Sequence, residues 1–182
     1  MLKTSDILDE KDKRVRAKNV DVTFPMTKED KKLIYDMLEH LRLSQIEKYA
    51  TKYNLRPGMG LAAPQLGVNK NFFVVCYEES EGVFHDYIVV NPKLISHSEE
   101  LIYSSCGEGC LSVNREVEGI VPRYARITVT GLDTEGNPVK YRVREELAIA
   151  FQHEMDHLKG ILFVDYIDPK DPFKNIENMR EI

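Results

Sequence analysis

At 182 residues the chain is the size of one domain, and such a domain buries roughly 70% of its unfolded surface, enough for a core that encloses a site. A formal net charge of -5 excludes the global basic footprint of a nucleic-acid binder, so no nucleic-acid sequence recognition is expected. The opening MLKTSDILDEKDKRVR is charged throughout, and no run of 18 apolar residues follows, which points to a cytoplasmic protein with no membrane partner.

Residues 1–24 mix charged and isolated apolar positions and read as an irregular leading segment. After Pro25, Thr27 is a helix N-cap with Asp30 three positions on. From Lys28 to about Tyr53 the apolar residues keep a helical period, which predicts one helix. NLRPGMGLAAPQLGVNK then breaks all regularity, a loop with demanding backbone geometry. The β-branched and aromatic runs 71–77, 86–92 and 94–104 predict strands, and 125–144 predicts a hairpin turning at DTEGNP. A second helix spans about 145–159 and stops at Gly160, a suitable C′ glycine. ILFVDYI reads as a short strand, DPKDP breaks the chain, and NIENMREI ends it as a terminal helix or a frayed end. There are no repeats and no linker-like stretch, so residues 1–182 are expected to form one domain. Hairpins with two separated helices predict an α+β fold, with antiparallel or mixed sheets packed around a central metal-binding helix and an N-terminal helix.

The second helix carries FQHEMDHLKG. Positions i and i+4 share a helix face, so His153 and His157 can point their imidazoles at one ion. Glu154 is rotated toward the rim of that face, poorly placed as a ligand but well placed to take a proton from water at the metal. Asp156 can orient a solvent-side group or a histidine. Two histidines on a solvated helix would be unremarkable. This helix, however, is apolar nearly all round (Leu147, Ala148, Ile149, Ala150, Phe151, Met155, Leu158), and buried imidazoles need partners.

A catalytic centre usually takes three protein ligands and keeps an open position. In the H-E-x-x-H-x-x-G-x-x-H pattern the third histidine falls at residue 163, which is Phe163. A zinc-endopeptidase alternative uses Glu177, although DPKDP intervenes and only five residues follow it. The loop SSCGEGCLSVNRE offers Cys106 and Cys110, and a thiolate with two imidazoles suits Zn²⁺ or Fe²⁺. Both cysteines together would close a Cys₂His₂ structural centre and leave Glu154 without a task. Spacing does not choose between them. Three cysteines in such a chain argue against a disulfide framework, and Cys76, inside FFVVCY, reads as a small core residue.

GMGLAAPQ (58–65), EGCLS (108–112) and QHEMDH (152–157) together resemble, in order, the three motifs of peptide deformylases: G-x-G-x-A-A-x-Q, E-G-C-L-S and H-E-x-D-H. The chain length fits the whole family. The segment before GMGLAAPQ and the form CGEGCLSV resemble the subclass of Gram-positive bacteria.

The resemblance implies Cys110, His153 and His157 as metal ligands, with Cys106 structural. It implies Fe²⁺ as the physiological metal, with Zn²⁺ or Ni²⁺ able to occupy the site. The implied reaction removes the N-formyl group from the initiator methionine of nascent polypeptides and releases formate. Glu154 would accept a proton from water at the metal and deliver it to the leaving amine. The side chain of Gln65 and the backbone N–H of Leu111 would donate to the tetrahedral oxygen. Gly58, Met59 and Gly60 would offer backbone to the peptide, and Ile149, Ala150 and Met59 would line the methionine pocket. Arg123 is the expected partner of Glu108, since a charge beside a metal loop is costly when buried alone. The expected partners are N-formylmethionyl nascent peptides near the ribosomal exit tunnel, and the expected state is a monomer.

Overall fold

The structure is a computed structural model describing residues 2–182. Helices α1 (Lys28–Gln45) and α2 (Glu47–Tyr53) precede strands β1 (Gly60–Ala62), β2 (Phe72–Ser80), β3 (Val83–His97), β4 (Leu101–Tyr103), β5 (Arg123–Tyr124), β6 (Arg126–Leu132) and β7 (Pro138–Arg144). Helix α3 (Glu145–His157) and a closing strand β8 (Arg180–Glu181) follow. The first sheet runs β1-β2-β3-β6-β7 with every neighbour antiparallel, and the second runs β5-β4-β8 with β4 and β8 parallel. This is the expected α+β class with mixed sheets. No helix among the described residues is long and apolar enough to cross a membrane.

The continuous apolar run FFVVC has a direct physical reason: β2 is buried on both faces. Phe72, Val74 and Cys76 pack with Ile34, Met37, Leu38 and Leu41 of α1 on one side. Phe73 and Val75 pack with Ala148, Phe151 and Met155 of α3 on the other. Phe151 meets Phe73, Tyr87 and Tyr141 edge to face at centroid distances of 5.3, 5.5 and 5.9 Å. Each such pair adds about 0.5–1.5 kcal/mol beyond burial and fixes the rotation of α3 about its axis. The helix therefore presents its histidine face to the opposite side. Burial pushes the Cys76 thiol up to about 12, so this residue is the inert core cysteine expected.

Four local expectations are corrected. The predicted helix over 28–53 breaks at Ile46, which is extended (φ -99°, ψ 108°). Thr27 caps α1 as expected, accepting from the Asp30 N–H at 3.1 Å, but the last turn is spent on tertiary bonds. Ser44 Oγ donates to the Leu41 carbonyl and accepts from the Gly58 N–H, while Gln45 Nε2 donates to the carbonyls of Leu41, Gly58 and Cys76. The break thus anchors the glycine loop. The two strands predicted over 86–92 and 94–104 are one long β3 and a short β4. The Pro92 break becomes a bulge, with Asn91 in the left-handed region (φ 52°) and its side chain bonded to the Val22 backbone in both directions. ILFVDYI forms a 3-10 turn at Phe163–Tyr166. The tail is neither a terminal helix nor a frayed end: β8 pairs with Ile102 and Tyr103 after a short 3-10 turn. The hairpin 125–144 forms as predicted, Asp133 accepting from the N–H groups of Glu135 and Asn137 in its turn.

Candidate metal centre

Helix α3 begins with Glu145 and Glu146, whose charges complement its N-terminal dipole, and closes where Gly160 (φ 74°) donates to the His157 carbonyl at 3.0 Å. His153 and His157 fall on one face, as their spacing requires, with ring centroids 5.0 Å apart. The loop between β4 and β5 brings Cys110 to the same place. One donor atom each from Cys110, His153 and His157 lies within 4.8 Å of the other two, and all three residues are buried. Cys110 Sγ is 3.2 Å from His157 Nε2. A soft thiolate with two imidazoles at this separation fits a single divalent ion with bonds of about 2.0–2.3 Å.

His153 Nδ1 is 2.8 Å from Glu108 Oε2, which leaves Nε2 for the cluster. Glu108 is in turn gripped by Arg123, Nε to Oε1 at 2.7 Å and Nη2 to Oε2 at 2.9 Å, so the expected pair exists. Arg123 Nη1 also donates to Asp156 Oδ2 at 2.5 Å. Asp156 is thereby joined through Arg123 and Glu108 to His153, and it also bonds to the exposed Tyr166 side chain. Burial disfavours a charged Glu108, but its bonds from Arg123 and His153 outweigh this and hold the carboxyl down at about 2. Burial works against a charged His153 too, yet its contacts with Cys110 and Glu108 raise its proton affinity; His157, buried beside it, is depressed.

Glu154, rotated off the histidine face, is only 3% exposed. Burial pushes its carboxyl up to about 7, against the attraction of His153. Glu154 Oε2 has no hydrogen-bond partner among the described residues, a buried acceptor facing space beside the cluster. Gly60 is there because a Cβ would stand 2.8 Å from Glu154 Cδ, and Gly58 because one would stand 2.7 Å from Leu111 Cδ1. Gln65, 1% exposed, accepts the Ala62 N–H on Oε1 at 2.8 Å. Its Nε2 is 3.2 Å from Ser112 Oγ and 3.7 Å from Cys110 Sγ.

A cleft of about 430 Å³ opens over these groups, and Gly58, Met59, Gly60, Gln65, Leu111, Ile149, Ala150 and Glu154 all line it. Two other candidates do not arrive. Cys106 is exposed and belongs neither to the cluster nor to the core, which removes both its structural role and the Cys₂His₂ centre. Glu177 is exposed on a 3-10 turn, accepts from its neighbour Asn178 and, among the described residues, is not part of the Cys110/His153/His157 cluster, so the endopeptidase alternative is not favoured.

Arg56 and Ser112 are absent from the sequence expectations. Arg56 donates to the backbone carbonyls of Cys110 and Val113 and, at 2.5 Å, to Asn114 Oδ1, clamping the loop that carries the thiol. No local pattern marks an arginine whose partners lie more than 50 residues away. Ser112 was legible as the last residue of EGCLS, but its bond to Gln65 joins two motifs that only the fold brings together.

The family profile described as Polypeptide deformylase matches residues 4–173. The chain is 47% identical over 182 residues, all of both chains, to a peptide deformylase of Oceanobacillus iheyensis. It is 48% identical to one of Shouchella clausii, covering 96% of each. Among solved structures it resembles a probable peptide deformylase of synechococcus phage S-SSM7 with a TM-score of 0.71 at 37% identity, covering 88% of this chain and 98% of that one. The Thermotoga maritima enzyme aligns with a TM-score of 0.69 at 32% identity, over 90% and 97%. With these full-length matches, and with a fold that gathers the thiol and both imidazoles of its motifs, the chain belongs to the polypeptide deformylase family of enzymes.

Proposed function

We propose that the protein hydrolyses the N-formyl group of the initiator methionine on nascent polypeptides, yielding formate and a free amino terminus. The observation that carries this is the juxtaposition of a buried Cys/His/His cluster with the unpartnered oxygen of Glu154 at the floor of a cleft. Cys110, His153 and His157 hold the cation, Fe²⁺ in this reading, with Zn²⁺ or Ni²⁺ able to substitute. The cation supplies Lewis acidity, polarising the formyl carbonyl and making water at the site more acidic.

Glu154 takes the proton of the attacking water and returns it to the leaving nitrogen. Gln65 Nε2 and the Leu111 N–H donate to the oxygen of the tetrahedral intermediate. The bonds of Gln65 to Ala62 and Ser112 orient its amide beforehand. β1 is the edge strand of its sheet, so Gly60 offers backbone to an extended peptide, while Gly58 and Met59, whose carbonyls are held by Gln45 and Cys76, line the cleft beside it. Ile149, Ala150 and Met59 form the wall against which the methionine side chain rests. In this reading residues 1–182 are one catalytic domain, a monomer of the cytoplasm that meets its substrates as they leave the ribosome.

Metal-loaded protein is expected to release formate from formyl-Met-Ala-Ser, and Glu154→Ala is not; release no greater than that of the variant overturns the reading. Cysteine substitution checks the ligand set. Cys110→Ser is expected to lose both bound metal and formate release, while Cys106→Ser keeps both, as metal analysis and the formate assay will show. Equal losses from the two would remove Cys110 from its assigned role.

A further inference from the structure

The proposed methionine wall has an acidic end. Glu146, Ile149, Ala150 and His153 stand at helical spacing on one face of α3, and all four line the cleft. Seven residues at 1.5 Å each separate Glu146 from His153 by about 10 Å along the axis. Helical side chains lean toward the N-terminus, so the Glu146 carboxylate lies beyond the apolar stretch, away from the metal cluster. A side chain leaving the reacting end would pass Ala150 and Ile149 before reaching it.

Nothing among the described residues occupies that carboxylate. Glu146 is exposed and carries no hydrogen bond or ion pair among the described residues. Its neighbour Glu145 is satisfied by Arg180, at 2.8 and 3.1 Å, which draws that cation to the adjacent position. The wall between is firm: Ile149 packs with Ile102 and Ala125, backed by Ile182 of the tail. Ala150 is small and leaves room for a long, unbranched stem.

We propose that Glu146 is a specificity-determining residue that extends acceptance at the formylated position to long side chains ending in a cation, lysine above all. This rests on the hydrolytic reading given above. The apolar stem lies on Ile149 and Ala150, as methionine would, and the ammonium meets the carboxylate at the mouth. An acid in the first turn of a helix has a purely local use, complementing the dipole, and the test separates the two roles.

Formyl-Lys-Ala-Ser and formyl-Nle-Ala-Ser share a four-carbon stem and differ by the terminal charge. The kcat/KM ratio of the lysine to the norleucine peptide is measured for the metal-loaded wild type, Glu146→Gln and Glu146→Leu. A half-exposed ion pair predicts that the ratio falls about two- to five-fold in both variants, and that 1 M salt lowers the wild-type ratio toward theirs. Turnover of the norleucine peptide with an unchanged ratio overturns the role of Glu146 alone. Turnover of neither peptide overturns the hydrolytic reading beneath it.

Discussion

Replacing Glu154 by glutamine is expected to lower kcat/KM for formyl-Met-Ala-Ser by about 10² to 10⁴, the range for loss of a general acid–base group. The variant keeps the shape and burial of the side chain, so the cluster of Cys110, His153 and His157 remains and the metal content stays that of the wild type. A variant retaining wild-type kcat/KM with full metal would remove Glu154 from the proton transfers.

The same substitution has a second, opposite effect on the metal-free protein. Unfolded, the carboxyl titrates near 4.5; folded, burial raises it to about 7. A carboxyl raised in the folded state stabilises only while protonated. Its contribution is whole below 4.5 and is lost as pH climbs through 7, a difference on the order of 3 kcal/mol. Glutamine carries no such charge. In chelator, Glu154→Gln should melt above the wild type at pH 8, with the gap shrinking toward pH 4. A gap independent of pH would mean that Glu154 is not desolvated in the folded protein.

Arg123→Met is expected to be the most destabilising single change near the site. Arg123 is 3% exposed and bonds to both Glu108 and Asp156, with its guanidinium 5.0 Å from the Tyr166 ring centroid. Removing it strands two carboxylates in the interior, at a cost of about 3–5 kcal/mol, which for a chain of this length lowers Tm on the order of 10 °C. The triple variant Arg123→Met, Glu108→Gln, Asp156→Asn should recover much of that stability, because no charge is left unpaired. Metal affinity should not recover with it: loss of the brace behind a histidine ligand costs about 10- to 100-fold. Thermal melts and metal titrations read the two effects separately. An Arg123→Met protein as stable as the wild type would show that the ion pairs contribute nothing. The sign of the acid dependence follows from Glu108, depressed to about 2: its contribution is present above 4.5 and fades as pH falls through 2.

The fold was legible where physical signals are local. The Thr27 cap, the DTEGNP turn and the Gly160 stop each act within four residues, and each stands where the spacing put it. Errors came where distant partners outbid local propensity. The helical period continues through Ile46, but Ser44 and Gln45 give their hydrogen bonds to the glycine loop, and the helix ends. Pro92 reads as a strand break, yet Asn91 absorbs the bend while bound to Val22. The polar tail gives no periodic signal because its pairing partner, β4, lies nearly 80 residues earlier.

The sequence by itself determined that His153 and His157 share a face, because helix geometry fixes the i to i+4 relation. It also determined that Glu154 stands beside them and that Cys76 is core. Its three motifs named the family before any coordinate was known. Only the tertiary structure decided between Cys110 and Cys106 on physical grounds, by burying one against His157 and leaving the other in solvent. It alone joined Asp156 through Arg123 and Glu108 to His153, and it alone placed the Glu146 carboxylate at the end of the apolar stretch of the cleft. The division has one cause. Helix and turn geometry follow from neighbouring residues, whereas burial and ion pairing depend on which distant segments the core brings together.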